Sequence, residues 1–151
     1  MDVKVVPASL ADKEILRQLL EFNAYEFARF FADAGLNEHG RFGYRYLDHY
    51  WTEPHRHPFL VRVDQRIGGM VLVASGEPHS INEFLIMPQY RRRGVGMIAA
   101  REVFGQFGGA WSVQQVRGNG AAVAFWRRAI PVEFDETDDD AGTTQRFTMP
   151  G

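Results

Sequence analysis

The chain has 151 residues, 45% of them hydrophobic and 24% charged, with a formal net charge of -2; that length suits one domain burying roughly 70% of the surface its unfolded chain exposes. It contains no cysteine, which excludes disulfides, thiolate metal sites and a cysteine nucleophile. The weakly acidic balance argues against general nucleic-acid affinity, although 15 of the 17 basic residues are arginine. Met1-Asp2-Val3-Lys4 does not begin a signal peptide and no apolar run reaches membrane-spanning length, so the expectation is a cytoplasmic protein without a membrane partner.

In chain order, Val3-Lys4-Val5-Val6 reads as a short strand stopped by Pro7. Ser9 followed by Asp12 resembles a capping box, and Ile15, Leu16, Leu19 and Leu20 carry helical spacing onward into Phe22 and Phe27. From Tyr25 to Pro58, rings crowd a region rich in Gly, Asp and His; part of it is expected to be helix and part loop. Phe59 to Val63 and Ile67 to Val73 bracket Asp64-Gln65-Arg66 as a hairpin. Gly76-Glu77-Pro78 turns the chain into a strand from Ile81 to Met87. A helix from Gly94 to Phe107 is stopped by Gly108-Gly109, and a strand from Ala110 to Val116 follows. Gly118-Asn119-Gly120 opens a short helix ending before Pro131, and Val132 to Phe134 with Thr144 to Met149 reads as a last hairpin. Without repeat or linker, residues 1–151 form one α/β domain with a largely antiparallel sheet.

The most informative run is Met87-Pro88-Gln89-Tyr90-Arg91-Arg92-Arg93-Gly94-Val95-Gly96. A strand, a basic glycine-containing turn and a helix start gather free backbone N–H groups at one spot, where the helix dipole adds positive charge, so the turn suits a phosphate or diphosphate. Side chains at Gly94 or Gly96 would block close approach of the ligand. A P-loop is excluded because no Gly-Lys-Ser/Thr occurs at the required spacing. The dinucleotide fingerprint fails because its third glycine is missing and the turn follows several strands rather than the first.

Arg91-Arg92-Arg93-Gly94-Val95-Gly96, flanked by Pro88 and Tyr90, resembles the Gln/Arg-x-x-Gly-x-Gly/Ala turn of the GNAT superfamily of acyl-CoA-dependent N-acyltransferases. Downstream, Asn119, Ala122 and Phe125-Trp126-Arg127-Arg128 resemble that family's second element. The likeness covers nearly the whole chain in element order and is sharp from Ile81 to Arg128. Tyr46-Leu47-Asp48-His49-Tyr50-Trp51 and Asn37-Glu38-His39-Gly40 look like a small group of uncharacterised predicted bacterial acetyltransferases. The resemblance implies a GNAT-like mixed, mostly antiparallel central sheet with flanking helices, its fourth and fifth strands splayed apart. It further implies acetyl-CoA as acyl donor, with pantetheine beside Leu85, Ile86 and Met87. The diphosphate would lie against Arg91, Arg92, Arg93, Gly94, Val95, Gly96 and Met97, and Asn119 and Trp126 would lie beside the cofactor.

Acyl transfer to an amine needs a base for the nitrogen, a donor for the developing oxyanion and a way out for the thiolate. Glu83 stands where many family members carry a carboxylate base; the alternative is a solvated side chain on an alternating Ile81/Glu83/Leu85 strand, and His79 is a weaker base. Trp126 departs from the family pattern, which often has a tyrosine acid there, because an indole N–H only donates. Either Tyr25 or Tyr44 reaches the sulfur, or CoA leaves as thiolate. The expected acceptor is a small-molecule or peptide amine, met at the aromatic stretch, with Asp33, Glu38 and Asp48 as candidate carboxylates; a homodimer is compatible. No metal is expected, His55 and His57 being the nearest approach to a ligand set. The acidic run from Glu133 to Asp140 reads as a solvated hairpin tip. An acyl-CoA sensor with little turnover is the competing function, and an arginine nucleic-acid patch the third.

Overall fold

The computed structural model describes residues 1–151. Seven strands form one sheet in the order β1-β2-β3-β4-β5-β7-β6, where β1 is Val3–Pro7, β2 Arg56–Val63, β3 Arg66–Ala74, β4 His79–Ile86, β5 Gly109–Val116, β6 Asp135–Asp138 and β7 Gly142–Met149. Every neighbouring pair is antiparallel except β4 and β5. Helices α1 (Lys13–Phe27), α2 (His49–Thr52), α3 (Val95–Gln106) and α4 (Gly120–Ala129) cover its two faces.

Strand alternation decides which side chain meets which helix. Phe59, Val61 and Val63 of β2 join α3, α4, Trp111 and Phe147 in one core, whereas Leu60 joins Leu16, Leu19 and Leu20 of α1 in the other. Because both faces of the sheet are covered, Met70 through Val73 of β3 are all buried and read as an unbroken apolar run. Asp64 and Gln65, with φ of 48° and 71°, make the two-residue turn of the expected β2–β3 hairpin.

The stretch from Tyr25 to Pro58 is part helix and part loop, as expected: after the end of α1 and a turn at Ala28–Phe30 it contains only the one-turn helix α2 before β2 begins. The preceding loop is instead pinned to α1 by Glu21, whose carboxylate accepts from the N–H groups of Phe42 (2.8 Å) and Gly43 (2.9 Å). In the last hairpin, Val132 and Phe134 pack against the core instead of pairing. The acidic segment itself supplies the exposed edge strand β6, opposite Thr143 to Arg146. Charges along an exposed edge also discourage pairing with another chain. The alternation expected of β4 also changes, because a bulge interrupts it: Leu72 pairs with Glu83 and Val73 with Ile81, leaving Asn82 without an opposite residue. One extra residue reverses the facing of what precedes it, so Ile81 sits with Phe84 on the α3/α4 face while Leu85 lies on the α1 face.

β4 and β5 pair only at His79↔Trp111 and Ser80↔Ser112. Beyond them β5 follows β7 over its full length and β4 follows β3. The sheet therefore opens between its fourth and fifth strands, as expected.

Candidate active site

The opening widens into a cleft of about 1110 Å3, walled by β4, the start of α3, β5, α4, the second half of α1 and the loop after it. At its α3 end the N–H groups of residues 92–97 find no acceptor within the chain; the next one, Ile98, donates to the Gly94 carbonyl at 3.1 Å. Six unused donors at the N-terminus of a twelve-residue helix make a concentrated anion site. Gly94 caps the helix with φ of 83°, a left-handed conformation that any other residue resists. A Cβ there would meet open space, whereas one on Gly96 would lie 3.0 Å from the Phe125 ring. Gly94 thus serves the turn, and Gly96 serves the contact between α3 and α4 at least as much as ligand approach.

Of the residues singled out in the sequence, Glu83, Leu85, Ile86, Arg91, Arg92, Gly94, Gly96, Met97, Asn119 and Trp126 line the cleft. Met87, Arg93 and Val95 do not, Val95 being fully buried. The Met87 N–H donates to Gly68 O at 2.7 Å and the Leu85 carbonyl lies against Gly69, so both backbones face β3. Alternation turns the intervening Ile86 toward the opening. Its carbonyl accepts from Arg91 Nε (2.7 Å), while Arg91 Nη2 donates to Glu26 at 2.6 Å. Arg91 therefore braces the turn against β4 and α1. Asn119 caps α4, its Oδ1 accepting from Ala122 N at 3.2 Å. Trp126 is buried against Phe84, Phe104 and Phe125.

Glu83 is half-buried rather than solvated. Alternation with Leu85 places it on the α1 side, where Asn23 Nδ2 donates to its carboxylate at 2.7 Å. Burial raises its pKa to about 7, opposed by that single hydrogen bond. A carboxylate poised near neutrality inside a cleft is suited to accept a proton. Tyr44 is the one tyrosine on the wall, its phenol raised above its ordinary range by burial and by neighbouring Tyr50; Tyr25 is 76% exposed and away from it. Tyr50 accepts from the bulge residue Asn82 at 2.8 Å, which ties α2 to the bend in β4.

Other candidates are engaged elsewhere. His79 Nδ1 accepts from Gly76 N (2.9 Å), so Nε2 carries the hydrogen and donates to Gly108 O (2.8 Å); it lies on β4 and holds the strand's beginning. Asp48 is bonded to Lys13, and Asp33 and Glu38 are exposed away from the cleft. His57 contacts Ser75 at 2.9 Å, and no group of three His, Asp or Glu side chains could hold a metal ion. Sequence reasoning missed Asn23 and Glu26. Asn23 had a signal: it continues the buried stripe of Leu16, Leu19 and Leu20, where a polar residue, here 3% exposed, requires a partner.

The family model described as the acetyltransferase (GNAT) family matches residues 21–130. No curated protein matches at a significant level. Among solved structures, an acetyltransferase from Thermus thermophilus is 20% identical with a TM-score of 0.72, over 99% of this chain and 97% of that one. The paia N-acetyltransferase from Thermoplasma acidophilum, solved in complex with coenzyme A, is 11% identical with a TM-score of 0.69, over 98% and 99% of the two chains. Spermidine N-acetyltransferase from Vibrio cholerae, solved with CoA and spermine, is 11% identical with a TM-score of 0.65, over 95% and 92%. At such identities the likeness establishes the fold.

Proposed function

The chain belongs to the GNAT family of acetyltransferases, acyl-CoA-dependent enzymes, and from that premise we propose that it moves the acetyl group of acetyl-CoA to a primary amine by direct attack in a ternary complex. The observation that carries this reading is the row of six unpaired amides beside a cleft that also contains Glu83. The diphosphate of acetyl-CoA would rest on the amides of residues 92–97, with Arg92 beside it. The pantetheine arm would lie between the parted strands, pairing with the β4 backbone turned to the opening and passing Asn119 and Trp126.

In the reaction the amine nitrogen attacks the thioester carbonyl carbon, the C–N bond forms and the C–S bond breaks. A β4 N–H turned toward the opening would stabilise the developing oxyanion. Glu83, with its pKa of about 7, would take the proton that the amine gives up. CoA leaves as thiolate, since a thiol of ordinary pKa needs no dedicated acid near neutral pH; Trp126 contributes packing rather than a proton.

The test is an amine-dependent CoA-release assay run beside calorimetric titration with acetyl-CoA. Binding together with amine-dependent release supports transfer; binding without release across a broad amine panel would make the chain an acyl-CoA sensor.

A further inference from the structure

We infer that the acceptor is a hydrophobic monoamine, a single amino group on an aromatic or similarly apolar body, rather than a polyamine. This rests on the acetyl-transfer reading and deepens it. One wall of the cleft is built of rings: Phe27, Phe30, Phe31, Phe42 and Tyr44 from α1 and the loop after it. Glu21 holds the Phe42 end of that loop in place, so the rings form a built wall.

Charge points the same way. Four arginines and two glutamates line the cleft, and no aspartate does. Glu26 is already neutralised by Arg91 at 2.6 Å, which leaves Glu83 as the only carboxylate facing an acceptor. Arg29, which also lines the cleft, lies 4.8 Å from the Phe30 centroid and has no carboxylate partner. A polyamine brings two or more ammonium groups, each needing a carboxylate or water once inside. Here one ammonium finds Glu83 and gives it a proton, and the others would face rings and a guanidinium. The acidic run at residues 133–140 is outside the wall and cannot serve them. An aryl body instead displaces water from the rings and leaves no buried charge unpaired.

The experiment measures CoA release from acetyl-CoA with 2-phenylethylamine, spermidine and a lysine peptide. Phenylethylamine is expected to exceed spermidine in kcat/KM by on the order of 100-fold, the discrimination that several apolar groups provide. Phe31→Asp, at a ring 47% exposed and therefore tolerant of change, should narrow that ratio about tenfold or more by placing a carboxylate on the wall. Turnover of spermidine or the peptide at or above the phenylethylamine rate would overturn the acceptor class while leaving acetyl transfer standing. Absence of release with every amine, despite acetyl-CoA binding, would overturn both.

Discussion

Glu83 is charged at a cost. Its pKa is about 7 in the folded chain and near the ordinary 4.5 when unfolded, so the fold holds an extra proton between those values. Stability from this group is complete below about pH 4.5 and is lost as pH rises through 7, by on the order of 3 kcal/mol. Glu83→Gln retains the shape and removes the charge. It should lower kcat/KM by roughly 10²–10⁴-fold with little change in acetyl-CoA affinity, and the parent's rise in activity through about pH 7 should vanish. The same variant should melt higher than the parent at pH 8, with the gap closing toward pH 5; a variant less stable than the parent at pH 8 would show that the site does not strain against its charge. Gly94 is the other decisive residue. Gly94→Ala forces a side chain into a left-handed turn at about 1–2 kcal/mol; a turn that relaxes to escape that strain displaces its amides and should weaken CoA binding by about tenfold. Calorimetry with unchanged affinity would dissociate the turn from the cofactor. Gly96 is a poorer probe, because a side chain there strikes Phe125 before any ligand.

At the scale of elements, caps and bulges do the positioning. The start of α4 depends on Asn119, whose carboxamide accepts from Ala122 N. Asn119→Ala should cost about 1 kcal/mol in urea unfolding, and a loss confined to CoA affinity would give the side chain a ligand role instead. The helices α1, α3 and α4 and the β2–β3 hairpin were legible in the residues, since apolar period and turn chemistry are local properties. The bulge at Asn82 was not. Alternation put Ile81, Glu83 and Leu85 on one face, yet the register against β3 inserts a residue and separates Ile81 from the others. Nothing local in Ser80-Ile81-Asn82-Glu83 announces that choice, which depends on the partner strand. The first strand of the last hairpin was misplaced for a related reason: Val132 and Phe134 look like strand residues, but their burial is spent on the core.

Across the whole molecule, the opening between β4 and β5 joins an anion site to a ring-lined hollow. Each of those strands keeps a full partner on its outer side, so the sheet remains continuous around its gap. A ligand seated in the gap would bind the folded chain alone. At a concentration 100 times its Kd, CoA should add about 2.7 kcal/mol, raising Tm by roughly 5–10 °C. No shift under those conditions would contradict the placement of the diphosphate at α3.

The residues by themselves determined the family, the basic glycine turn at the start of α3 and the absence of a cysteine nucleophile, because glycine spacing, arginine content and helix starts are written along the chain. Only the tertiary structure decided which side chains remain free to act. It brought Asn23 to Glu83 from 60 positions away, tied Arg91 to Glu26, and left the acidic run outside the cleft. Such pairings join residues distant in sequence, and desolvation, which raises the Glu83 pKa, belongs to a packed environment that no linear pattern specifies.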